Sequence, residues 1–276
     1  MPVAYVVLAY HKPEQLGRLV AALGEEDPAG VWVHVDRRTP SVVFDAMRAA
    51  APGAAFVRRH RAPWGGIGHV LGSLEGLRAA LRVPGWNHAV LLTGQDYPIR
   101  PRGEIAARLG VAAERSFMQH FPLPAAGAWE PERGGLDRLE RRHLHARGRV
   151  IALPGRRRLP AGLRPFGGSG YWNLSRAACE HVAAAATPDA LRFFRWAKFP
   201  DELVYQTLLM SSPLAATVES DDLRHIEWTP GRPNPDVLGP DALPRLRESP
   251  ALFARKFDLD EHPDLLDRLD AELRYR

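Results

Sequence analysis

Two patterns alternate through the first hundred residues. Short, largely apolar runs at Val3 to Tyr10, Val31 to Asp36, Ala55 to Val57 and His88 to Thr93 predict strands. Between them, Pro13 to Leu23, Pro40 to Ala50 and Val70 to Leu81 space their apolar residues as helices do, the last being entered through a Trp64-Gly65-Gly66 turn. Strands apolar on both faces and joined by helices predict an α/β chain with a parallel sheet covered on each side. Ligands on such sheets lie beyond the carboxyl ends of the strands. That rule gathers His11, Asp36, Trp64 and the Gln95-Asp96 pair around one crevice.

Beyond the last of these strands, stopped by Gly94 to Pro98, the pattern loosens. Residues 124 to about 165 are polar and loop-like, with Arg141-Arg142 and Arg156-Arg157-Arg158 flanking a short apolar run, and are expected to be a mobile insertion. Order returns at Gly167 to Leu174, followed by a helix from Ser175 to Ala186 with Ser175 as its N-cap. A second helix follows Pro200-Asp201-Glu202 and runs to Met210, and an amphipathic helix over Asp260 to Arg276 closes the chain. With 276 residues and no internal repeat, a single domain over 1–276 is expected.

Composition narrows the setting more than the chemistry. Hydrophobic residues make up 45% and charged residues 25%, ordinary globular values. The apolar runs are far shorter than the roughly 20 residues that span a bilayer, and the start has neither a basic leader nor a cleavage site. A cytoplasmic protein is expected, and the lone Cys179, unable to form an internal disulfide, fits a reducing compartment. The net charge of +5 is carried almost wholly by arginine within an Ala-, Gly- and Pro-rich usage that resembles coding bias, so it is weak evidence for a nucleic-acid partner. Lysine occurs only at Lys12, Lys198 and Lys256, each inside a segment of interest on other grounds.

Moving a sugar from a nucleoside diphosphate needs a base for the acceptor proton, positive charge for the departing diphosphate, and a pocket for the nucleoside. Pro200-Asp201-Glu202 opens a predicted helix, where carboxylates sit among free N–H groups near the positive end of the dipole; the spacing leaves open whether they cap or face a cleft. Arg255 and Lys256 are adjacent cations between Phe253 and Phe257, and an extended backbone would point them to opposite sides. Ser169, Tyr171 and Trp172 suit an aromatic wall for a sugar ring, though aromatics beside a strand also serve as core. No strand end carries the two carboxylates of a metal site, and Asp258-Leu259-Asp260 reads as capping, so no metal and no cofactor are expected. His143 and His145 lack a third ligand, and Trp64-Gly65-Gly66 is neither a dinucleotide nor a P-loop pattern.

Six segments in one order resemble the core-2/I-branching N-acetylglucosaminyltransferases and peptide O-xylosyltransferases of glycosyltransferase family fourteen. They are Val33 to Arg38, Trp64-Gly65-Gly66, Gly94 to Arg100, Gly168 to Arg176, Pro200-Asp201-Glu202 and Phe253 to Asp258. The resemblance implies a GT-A-like fold with a Rossmann-type nucleotide-binding sheet, residues 1–115 forming the nucleotide-sugar half and 116–276 the acceptor and catalytic half. It further implies inversion without a metal, Glu202 as general base, and Arg255 and Lys256 on the diphosphate. Asp36, Trp64, Gly65, Gln95 and Asp96 would lie near the donor, with Arg232 as a second arginine, while Ser169, Tyr171 and Trp172 would border the acceptor. The chain departs from eukaryotic members in lacking an anchor, a stem and their cysteine framework, as expected of a bacterial member with a cytoplasmic acceptor.

The expected reaction is therefore transfer from a UDP-sugar to an acceptor of unspecified identity, with N-acetylglucosamine the first donor and xylose the second. Two other readings compete. A nucleic-acid-binding protein would use the basic stretch from Arg133 to Arg164, which lacks the interleaved aromatics of a stacking platform. A sugar-binding protein without catalysis sits poorly with the presence of both Glu202 and Lys256.

Overall fold

A computed structural model describes residues 3–24, 30–127, 129, 132–146, 149–232 and 234–275. Its first half runs β1 (Val3–Ala9), α1 (Pro13–Gly24), β2 (Val31–Val35), α2 (Ser41–Ala50), β3 (Ala55–Phe56), α3 (Gly68–Leu81), β4 (His88–Thr93), β5 (Asp96–Pro98) and α4 (Arg102–Val111). The central strands form as the apolar runs predict: β1 pairs in parallel with both β2 and β4, and β2 with β3. Alternation along β1 sends Tyr5 and Val7 to one face and Ala4 and Val6 to the other. The first face packs on α1, α2 and the C-terminal leucines, the second on α3.

The second half adds β6 (Ser116–Phe117), β7 (His120–Pro122), α5 (Leu136–Glu140), β8 (His143–Ala146), β9 (Arg149–Ala152), β10 (Phe166–Gly168), β11 (Asn173–Ser175), α6 (Arg176–Ala185) and α7 (Pro188–Phe194). Then come a 3-10 turn over Pro200–Glu202, α8 (Val204–Met210), β12 (Val218–Glu219), β13 (Arg224–Ile226), α9 (Leu243–Glu248), β14 (Phe253–Arg255) and α10 (Leu265–Leu269). The main sheet has seven strands in the order β12-β6-β11-β4-β1-β2-β3, so it takes strands from both sides of residue 115. Its β11 runs antiparallel to β4, which makes it a mixed sheet with a parallel centre, the Rossmann-type α/β arrangement expected. Ser175 caps α6, its hydroxyl accepting from the Ala178 N–H at 3.3 Å.

Three expectations are corrected. Residues 124 to 165 hold the α5 turn and the β8–β9 hairpin, whose β8 strand donates the His143 N–H to the Trp196 carbonyl at 2.8 Å. Polar composition hid this because so small a unit closes its bonds on itself and its neighbours, without an apolar stripe. The closing helix spans only Leu265–Leu269, continued by a wider turn over Asp270–Arg274, because Pro263 disfavours a helical backbone at His262, the residue before it; Leu265, Leu266, Leu269 and Leu273 are nonetheless buried together. Pro200–Glu202 is a separate turn, divided from α8 by Leu203, rather than the first turn of one helix.

Candidate active site

A cleft of about 960 Å³ opens at the carboxyl ends of the parallel strands. The end of β1 brings Tyr10 and His11 to it, β2 brings His34 and Asp36, and β4 leads into Thr93, Gly94 and Gln95. Tyr171 and Ser169 enter from the loop before β11, Glu202 from the 3-10 turn, and Arg255 and Lys256 from the end of β14. Of the residues singled out in the sequence, Glu202, Asp36, Trp64, Gly65, Gln95, Arg255, Lys256, Ser169 and Tyr171 all line this one cleft.

Glu202 is held above the sheet by a chain that folds back on itself. Phe199 adopts a left-handed backbone with φ of 51°, and its N–H donates to the carbonyl of Gly65 at 3.2 Å. That peptide sits tight against the Trp64-Gly65 turn: Gly65 itself has φ of +72°, and a Cβ there would stand 3.0 Å from the Phe199 ring. Trp64, 57% exposed, meets the same ring edge-on at 4.7 Å. No side chain caps the turn, and the N-terminal field anticipated for these acids does not govern them. Burial pushes the Glu202 pKa up to about 7; the neighbouring Asp201 adds to the rise, and the guanidinium of Arg138 opposes it. A carboxylate so placed is basic enough to take a proton near neutrality. Asp201 leans the other way, its Oδ2 3.8 Å from His69 Nδ1.

The cationic side is built on a second, three-stranded sheet, in which β14 pairs antiparallel with β5 and parallel with β13. Asp96 is the register partner of Arg255, and its carboxylate lies 3.3 Å from Arg255 Nε. The same carboxylate accepts from the Thr93 N–H at 2.8 Å and the Thr93 hydroxyl at 2.9 Å, and approaches Arg224 Nε at 3.9 Å. Asp96 is therefore buried beneath the cleft beside the two arginines and does not line it. Two guanidiniums lie against the Tyr171 ring, Arg224 at 4.8 Å and Arg255 at 4.7 Å, on the cationic side of the cleft. Lys256 faces the cleft, and among the described residues no carboxylate pairs with it.

Two further residues singled out in the sequence, Trp172 and Arg232, also lie outside the lining of the cleft. Trp172 is fully buried, its ring 5.1 Å from Tyr205 in the core beneath the cleft, because alternation along this extended segment turns it opposite to Tyr171. Arg232 does not line the cleft; it lies outside on an exposed loop, paired with Asp236 at 3.1 Å. Arg224, by contrast, lies against the Tyr171 ring with its side chain wholly buried. Asp36 lines the cleft but is already engaged: Arg38 Nη2 binds it at 2.7 Å and the Arg38 N–H at 2.9 Å. Burial would raise its pKa, but these bonds outweigh burial and hold it below the usual carboxylate value. Lys12 lies elsewhere, bound by Asp258 and by Asp260, so that the only Asp-x-Asp of the chain is occupied by a lysine. Among the described residues, no three His, Cys, Asp or Glu side chains cluster as metal ligands.

Arg138, Phe199, His69, Arg224 and Trp228 also line the cleft, and sequence reasoning missed all five. Arg224 carried no clear signal, since Asp222 to Ile226 does not alternate as a half-buried strand does. Arg138 carried none among so many arginines.

A family model described as "Core-2/I-Branching enzyme" matches residues 3–246, a span that holds the parallel sheet and Glu202. The chain belongs to that family. Xylosyltransferase 2 of Mus musculus is 26% identical over 297 residues, covering 98% of this chain and 33% of the relative. Xylosyltransferase 2 of Homo sapiens is 27% identical with the same coverage, and human Xylosyltransferase 1 is 25% identical over 97% of this chain and 30% of its own length. The chain thus spans about a third of these curated relatives. Among solved structures, a putative glucose-1-phosphate thymidylyltransferase from Bacillus anthracis in complex with sucrose aligns at 12% identity and a TM-score of 0.33, over 68% of this chain and 77% of that one, too slight a likeness to build on. In this member of a glycosyltransferase family, the cleft that holds Glu202 lies where the sheet rule puts it.

Proposed function

We propose that the protein is an inverting, metal-independent glycosyltransferase of GT-A type that moves a sugar from a UDP-sugar to an acceptor hydroxyl. The observation that carries the reading is the pairing of a proton-accepting carboxylate, Glu202, with Lys256 and Arg255 in a single cleft. Glu202 takes the acceptor proton as the acceptor oxygen attacks the anomeric carbon from the face opposite the diphosphate. The bond from that carbon to the diphosphate oxygen breaks, and the charge gathering there is offset by Lys256 and Arg255, with Arg224 reinforcing the field from behind Tyr171. A metal is unnecessary in this scheme because Asp96, the carboxylate nearest the strand end, is committed to the arginines.

Gln95, Gly65 and Trp64 border the donor, Asp36 braces the loop beside the nucleoside, and Ser169 and Tyr171 close the wall between donor and acceptor. The cleft lies near the top of the roughly 300–1,000 Å³ usual for ligand sites, which suits a donor and an acceptor held together. The named relatives move xylose ahead of N-acetylglucosamine as the donor sugar. A cytoplasmic setting belongs to the same proposal, in keeping with the single buried thiol of Cys179. A panel of UDP-sugars, read by release of UDP with and without chelator, tests the scheme. Release from UDP-xylose or UDP-N-acetylglucosamine that chelator leaves intact is expected. No release from any sugar nucleotide, or release abolished by chelator and restored by manganese, would refute it.

A further inference from the structure

The segment expected to be a mobile insertion sends Trp129 and Arg138 into the cleft, and Arg138 meets the base. Arg138, at the middle of α5, places Nη1 2.5 Å from Glu202 Oε2 and Nε 2.5 Å from Glu132 Oε2. The other oxygen of Glu132 binds Lys198, whose backbone N–H donates to the Arg138 carbonyl at 2.9 Å. The guanidinium carbon lies over the Trp129 ring at 3.7 Å from its centroid and 5.4 Å from that of Phe199. Four charges therefore alternate in a line, Glu202, Arg138, Glu132, Lys198, and the arginine is fixed by stacking as well as by ion pairs.

From this arrangement we infer that Arg138 is a positioning residue for the base: it anchors Glu202 Oε2 and leaves Oε1 as the oxygen that meets the acceptor hydroxyl. Among the described residues Oε1 accepts no hydrogen bond. Sharing the guanidinium between two carboxylates matters for the chemistry. When Glu202 takes the acceptor proton its charge disappears, yet Arg138 stays paired with Glu132, so no cation is left stranded in a half-buried site. A lysine could not hold both carboxylates and the Trp129 face at once, because it offers a point charge rather than a planar fork. The inference rests on the reading of Glu202 as base. The other titrating groups near that carboxylate are Asp201 on its own turn, His69 of α3 beyond Asp201, and Glu132 and Lys198 beyond Arg138.

The test is the pH profile of UDP release from the donor that the panel selects, measured for the wild type and for Glu202→Gln, Arg138→Met and Arg138→Lys. Wild-type turnover should fall on the acid side, and Glu202→Gln should abolish that limb along with turnover. Arg138→Met should move the limb to higher pH by roughly one to three units, the effect of removing an opposite charge at close range. It should lower kcat at pH 7 by about tenfold or more while leaving the KM for donor within about twofold. Arg138→Lys should fall between the two. If Glu202→Gln keeps both limb and turnover, the assignment of the base fails. If Glu202→Gln removes them but Arg138→Met leaves the limb where it was, or mainly raises the donor KM, the assignment of Arg138 fails while the base stands. Unchanged thermal unfolding of Arg138→Met separates positioning from loss of fold, and Glu132→Gln, which frees one arm of Arg138 outside the cleft, should shift the limb less than Arg138→Met; an equal or larger shift would count against the arrangement.

Discussion

Replacing Glu202 by Gln should make the protein more stable and nearly inactive at once, and the two effects come from the same observation. The carboxyl pKa rises from 4.5 to about 7, chiefly through burial, so the folded protein binds the proton more tightly than the unfolded chain does. At pH 4 the group is protonated in both states and costs nothing. Between pH 4.5 and about 7 the unfolded chain ionises first, so stability declines across that window and stays lower above it. At about 1.4 kcal/mol per unit the full shift amounts to about 3 kcal/mol. A third of the side chain faces cleft water, whose screening reduces this to about 1–2 kcal/mol. For a chain of this size that is a rise in Tm of roughly 2–6 °C at pH 8, with no difference at pH 4. Removing a general base costs about 100- to 10,000-fold in turnover, or about 3–5 kcal/mol of barrier. Thermal unfolding at both pH values, beside UDP release at pH 8, checks the pair of outcomes. Turnover near the wild-type rate, or a Glu202→Gln protein less stable than wild type at pH 8, would refute the reasoning.

Two further outcomes are expected. Lys256→Ala should weaken UDP binding roughly 10- to 150-fold in titration calorimetry, since a charge-assisted bond contributes about 1.5–3 kcal/mol; an unchanged Kd would remove Lys256 from the diphosphate. Trp172→Ala should lower unfolding free energy in urea by about 3–5 kcal/mol, because the ring is buried against Tyr205. A loss below about 1 kcal/mol would contradict its core placement.

Much of the site was legible because the six segments that resemble the family sit at strand ends and turns, where ligands of such sheets gather. Local pattern left Glu202, Lys256 and Tyr171 open between structural and functional readings; the resemblance singled them out, and all three line the cleft. Errors arose where side-chain direction or partner choice depended on distant chain. Tyr171 and Trp172 are neighbours that alternation sends to opposite sides, one against two guanidiniums and the other into the core. Asp96 looked like a ligand group until its pairing with β14 put Arg255 beside it, separated by more than 150 positions in sequence. Arg232 was chosen by proximity to a loose match, whereas Arg224, in register with Phe253, holds the place behind Tyr171.

The order of apolar runs and helical periods determined, by itself, the parallel centre of the sheet, because burial on both faces of a strand is written in every residue of that strand. It determined the crevice too, since the handed packing of such sheets leaves ligand space at one end only. What tertiary structure alone decided is electrostatic. The pKa of Glu202, the partner of Asp96, the freedom of Lys256 and the reach of Arg138 all depend on how much water and which opposite charge surround each group. Those surroundings are supplied by segments far apart along the chain, and Coulomb interactions depend on distance in space.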